Sequence, residues 1–141
     1  MGWIVTTPLL NIKHNRGEKT MKALERMTEF EKLNLFTNVK NIFEQTNNKS
    51  GSAWLINNGY SPIYRVNKCQ CWVFGRPEEE TQYILSYDTL VAIYEPYYDL
   101  LVSFGRYTNT TYHHIRKFRN NYSVGGYNCE ELNMELVNWF K

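Results

Sequence analysis

The stretch Tyr83-Ile84-Leu85-Ser86-Tyr87-Asp88-Thr89-Leu90-Val91-Ala92-Ile93-Tyr94 decides how the chain is read. Tyr83, Leu85, Tyr87, Val91 and Ile93 share one parity, with Thr89 in line, and a period of two marks a strand with one buried face. The stretch is expected as a single β-strand. On its N-terminal side, Gly75-Arg76-Pro77-Glu78-Glu79-Glu80 reads as a charged, solvated turn. Before it, Ile63 to Phe74 is a second strand, with Tyr64, Val66, Trp72 and Phe74 on one parity and Cys69, Cys71 and Val73 on the other. On the C-terminal side, Glu95-Pro96-Tyr97-Tyr98-Asp99 turns the chain, and Leu100 to Tyr107 returns as a third strand.

Outside these strands the period becomes helical. Met21, Leu24, Met27 and Phe30, then Phe36, Val39, Ile42 and Phe43, predict one helix from Glu18 to about Gln45, or two broken near Asn34. Trp3 to Val5 reads as a short extended segment, and Thr46 to Ser52 as a loop. Thr108 or Thr110 is placed to cap a helix running through Phe118. Asn128 with Glu131 has the spacing of a capping box and opens a last helix, with Leu132, Leu136, Trp139 and Phe140 as its stripe. The expected fold is α+β: an N-terminal helical segment over residues 1–50, then a three-stranded antiparallel meander and two C-terminal helices over 60–141.

Composition narrows the function classes. With 141 residues, 43% hydrophobic and 21% charged, the chain suits one domain with a real core. No apolar run approaches the ~20 residues of a membrane span. The start, Met1-Gly2-Trp3-Ile4-Val5, lacks the basic region of a signal peptide. A soluble intracellular protein is expected. Net charge is +2, too small to announce nucleic-acid binding and of the wrong sign for a DNA mimic. Abundant Asn, Lys, Ile and Tyr is what AT-rich coding produces, which points to a low-GC bacterium or its phages.

Phosphate loops, the Gly-x-Ser-x-Gly elbow and the dinucleotide fingerprint are missing from the sequence, so a non-enzymatic protein is expected. Three patterns remain. Cys69 and Cys71 share a strand face, and Cys129 with His114 could complete a tetrahedral structural zinc site; buried, unreactive thiols are the alternative. Arg106, Arg116, Lys117 and Arg119, interleaved with aromatic residues, suit phosphate contact and base stacking; the same pattern fits a helix with Ile115 and Phe118 in the core and its cations in water. Tyr94, Tyr97 and Tyr98 beside Pro96 read as exposed rings at a hairpin tip, where tyrosine favours protein contact.

The run Ser86-Tyr87-Asp88-Thr89-Leu90-Val91-Ala92, followed by Tyr107-Thr108-Asn109-Thr110-Thr111 and His114, resembles a small domain of unknown function widespread in phages and mobile elements. Thr108 stands where that family usually has Ser, and His113 doubles the His. The resemblance covers about residues 83–120 and carries no known catalysis. It implies a phage-borne anti-defence factor working in the cytoplasm of an infected bacterial host. The expected function is protein–protein inhibition of a type II CRISPR nuclease. A small nucleic-acid-binding phage regulator is the alternative.

Overall fold

The computed structural model describes residues 23–105 and 107–134. The class is α+β, but the sheet has six strands rather than three. Both long strands expected from the sequence are hairpins. Gln82–Ser86 (β3) and Thr89–Glu95 (β4) pair antiparallel with Ser86 opposite Thr89, leaving Tyr87-Asp88 as a two-residue turn. Tyr87 takes φ 58° there, the positive φ at the first central position that a type II′ hairpin turn requires. Tyrosine in that role carries no turn signal, so the alternation in the sequence runs straight through it. A bulge resets the parity as well. Ile84 faces Ala92 and Leu85 faces Leu90, so Val91 is the extra residue. Val91 and Ala92 consequently pack in the same cluster, while Leu90 and Ile93 pack in the other.

The region Ile63–Phe74 divides in the same way. Ser61–Arg65 (β1) and Cys71–Gly75 (β2) are joined through Asn67 and Lys68, both at positive φ. Leu100–Ser103 (β5) completes an antiparallel run from β1 to β5, and Glu130–Asn133 (β6) adds parallel to β5. The last strand corrects the expected final helix. Glu131 does not cap; its carboxylate accepts from Ser103 Oγ (3.0 Å), Tyr107 Oη (2.9 Å) and Arg119. Long-range partners override a local capping pattern worth about 1 kcal/mol. Leu136, Trp139 and Phe140 lie outside the described residues, as do Trp3–Val5 and Met21.

Helices cover both faces. On one face lie Ala23–Arg26 (α1), Glu29–Thr46 (α2) and Gly51–Asn57 (α3). The N-terminal break falls at Met27-Thr28 rather than at Asn34. There the Thr28 hydroxyl accepts from Glu31 N and the Glu31 carboxylate accepts from Thr28 N, a complete capping box. The expected Thr46–Ser52 loop is shorter, since Thr46 ends α2 and Gly51 opens α3, which Ser50 caps by accepting from Ala53 N. Leu35, Val39, Ile42 and Leu55 from these helices pack on Phe74, Tyr83, Leu85, Ile93 and Val102. On the opposite face, Asn109–Tyr122 (α4), capped by Thr108, sets Ile115 and Phe118 against Val73, Ile84, Tyr94 and Leu101. The sheet is thus the middle of three layers, buried on both sides at its centre.

Candidate functional site

Two polar clusters interrupt the apolar layers, and they differ in openness. The first surrounds the β3–β4 turn and consists of the motif residues. Thr108 Oγ1 donates to Thr111 Oγ1 at 3.2 Å, and Ser86 Oγ lies 3.1 Å from Thr111 Oγ1 and 2.9 Å from His114 Nδ1. A neutral His114 accepting at Nδ1 lets the three hydroxyls donate in one direction. Burial, with the charges of His113 and Lys117 behind it, holds the His114 imidazole below its ordinary pKa. On the other side of the turn, Asp88 accepts from Gly51 N through its carbonyl (2.7 Å) and from Ser52 N through its carboxylate (3.0 Å). The turn therefore ties α4 to α3 across the end of the two central strands. Ser86 is 2% exposed and His114 4%, so the centre of this cluster is closed to solvent, while Thr108 and Asp88 at its rim are exposed.

The second cluster is open. A cleft of about 970 Å³ lies between α2 and the sheet. One wall carries Asn34, Asn38, Asn41 and Gln45, which α2 presents at spacings of four, three and four. Trp54 stands beside them and donates its indole N–H to Gln45 Oε1 at 3.0 Å. The floor is Tyr60, Tyr83, Thr81 and Glu95, with Arg76 and Glu79 at its side. Tyr60 Oη and Tyr83 Oη are 3.1 Å apart, Tyr60 donates to Glu79 (3.2 Å), and Arg76 pairs with Glu79 at 2.5 Å while lying over the Tyr60 ring. Glu95, placed on the core face by its parity with Ile93, is 4% exposed and accepts from Thr81 Oγ1. Burial pushes its carboxyl up to about 8, helped by Glu79 and Glu80 and opposed by the Thr81 bond.

None of the candidate metal or binding residues read from the sequence lines this cleft, which takes Arg76 and Glu79 from the charged turn. The Glu78–Glu80 run is solvated only in part: Glu78 is mostly exposed, whereas Glu79 is built into the cleft. The legible signal was the carboxamide series on α2, a polar stripe at helical spacing opposite the apolar one.

The sequence candidates are distributed differently. Tyr94 and Tyr98, expected as exposed rings, are 1% and 3% exposed, and Tyr97 is half-buried with its ring edge against Tyr98. Their turn folds inward because Tyr94 Oη donates to Asp99 (2.5 Å) and accepts from Val124 N (2.8 Å). Arg119 is held by Glu131 and by the Cys129 carbonyl, so it serves the β6 edge. Arg116 is exposed over the Tyr112 ring, Lys117 is half-buried, and Arg106 lies outside the described residues. Cys71 and Cys129 are buried in one apolar cluster with Cys69 packed against it, while His114 is engaged with Ser86. Burial pushes the Cys71 and Cys129 thiols up to about 12. Among the described residues, no group of three or more His, Cys, Asp or Glu is placed to hold a metal ion, and no helix is long and apolar enough to cross a membrane.

An α+β domain with one closed polar knot and one open polar cleft is thereby defined. The chain belongs to a family of unknown function, DUF8033, whose model matches residues 12–133. The match extends well beyond residues 83–120, so the helical layer that walls the cleft belongs to the family domain too. No curated protein and no solved structure matches the chain.

Proposed function

We propose that this protein is a phage-encoded, non-enzymatic inhibitor of a host defence system that acts by protein–protein binding in the infected cytoplasm, with a type II CRISPR nuclease as its partner. The observation that carries the binding part is the carboxamide-walled cleft. Asn34, Asn38, Asn41 and Gln45 each offer a donor and an acceptor along one helix face, which suits the alternating N–H and C=O groups of an extended segment. Phe30 at the cleft, 71% exposed, adds an apolar contact. The choice of partner rests on the AT-rich composition and on the phage-type motif.

The test is complex formation between the purified nuclease–guide complex and the protein, followed by size exclusion. A stoichiometric complex that survives removal of free nucleic acid and is lost in Asn38→Trp supports the reading; no complex, or one unchanged by Asn38→Trp, overturns it. The regulator reading relies on Arg116 and Lys117, since Arg119 is occupied, and it requires DNA affinity that falls steeply with salt. A structural zinc on Cys69, Cys71, Cys129 and His114 is a separate proposal. Two of its thiols would have to ionise against their burial, and elemental analysis decides: about one equivalent supports it, and under about a tenth of an equivalent returns the cysteines to the core.

A further inference from the structure

The cleft floor holds a buried carboxyl group, Glu95, with no salt bridge to a cation among the described residues. Thr81 Oγ1 lies 3.0 and 3.1 Å from the two Glu95 oxygens. One hydroxyl has one proton, so Thr81 serves only one of the two oxygens at a time. The guanidinium that lines the cleft, Arg76, is already engaged by Glu79 and Glu78. Among the described lining residues, Glu31, Glu79 and Glu95 stand against the one cation Arg76, and the Tyr60 and Tyr83 rings, with centroids 4.5 Å apart, flank the floor, one face of Tyr60 being covered by Arg76. Acidic oxygen beside aromatic faces is the environment that stabilises a planar organic cation on an aliphatic stem.

We infer that the cleft floor receives the guanidinium of an arginine side chain carried by the partner's docked segment, paired to Glu95. The inference rests on the cleft being the docking site proposed above. Pairing has a proton signature. The titratable and charged groups described around Glu95 are Glu79, Glu80, Tyr83 from β3 and Tyr98 from the turn after β4, which act on it electrostatically, and Glu31 from α2, Tyr60 and Arg76, which line the same cleft. Arg76 is the one cation among them and is paired, so an empty site keeps the Glu95 proton at neutral pH and a bound guanidinium expels it.

The experiment uses the full chain, isotope-labelled, at pH 7, with three probes: acetyl-Gly-Arg-Gly-amide, the same peptide with citrulline, and agmatine. The arginine peptide is expected to shift the Thr81, Tyr83 and Glu95 amides saturably, and the neutral citrulline peptide to bind about thirtyfold more weakly or worse. Calorimetry in phosphate and in HEPES should show close to one proton released. Glu95→Gln, with a native amide spectrum, should lose the discrimination between the two peptides. Amides unmoved in the millimolar range, equal binding of citrulline, or no proton release overturns the inference. Agmatine binding without peptide binding keeps a cation site but overturns its partner source. Arginine-specific binding in a protein whose nuclease complex survives Asn38→Trp keeps the cation site and overturns the docking reading instead.

Discussion

The closed knot at the β3–β4 turn and the open floor of the cleft are built from similar groups, yet they solve burial in opposite ways. In the knot, Thr108, Thr111, Ser86 and His114 pass donors and acceptors along a chain, and Asp88 satisfies the first amides of α3. Buried polar groups matched in this way specify a fold and offer little to a ligand. In the floor, Glu95 is as buried as His114 but has a single hydroxyl for two oxygens. A motif rich in Ser, Thr, Asp and His can thus be scaffold, while a glutamate that no motif marks lines the cavity.

The sharpest way to separate the two is pH. Glu95 is raised from 4.5 to about 8 in the fold, so the folded state keeps a proton that the unfolded chain releases. Its contribution to stability is full below about 4.5 and is lost as pH rises to about 8. Glu95→Gln should therefore stabilise the protein above pH 8, on the order of 3–5 kcal/mol, and much less at pH 5; a pH-independent change in urea midpoint would break the comparison. Next in size is Gly51→Ala. An added Cβ would lie 2.8 Å from Leu90 N and 2.7 Å from Leu85 Cδ2, forcing α3 off the turn. A loss of about 1–3 kcal/mol is expected by chemical denaturation.

Ser86→Ala should cost about 2 kcal/mol, because Thr111 and His114 lose their shared partner inside the core. The smallest effect is the His114 titration. Its folded pKa lies below 6.5, so its contribution is present above that value and lost as pH falls. Melting curves of His114→Gln should flatten the acidic limb of the stability profile while leaving the alkaline limb, which belongs to Glu95, in place. Identical limbs in the two variants would show that the clusters titrate as one.

Much of the layer pattern was legible. The Val39–Ile42 stripe, the Thr108 cap and the Ile115–Phe118 face all follow from spacing, and each packs as spacing requires. The strand count was not legible, because Tyr87 supplies a positive φ that Gly or Asn usually advertises. Nor was β6, since Glu131 serves three partners from other elements rather than its own helix start. The cleft was not legible because Glu95 sits beside Pro96 and reads as a turn residue, although its parity with Ile93 places a carboxylate on the core face.

The parallel strand β6 also sets an order of events. Every pairing from β1 to β5 joins neighbours in sequence, whereas β6 reaches β5 only after α4 has crossed the sheet. Its Glu130 then accepts from Ala23 N, 107 residues away. Loop closures of that span come late and reopen first. The β6–α1 edge should accordingly behave as a detachable seam: its amides exchange with solvent at low opening free energy while those of β3 and β4 still report global unfolding.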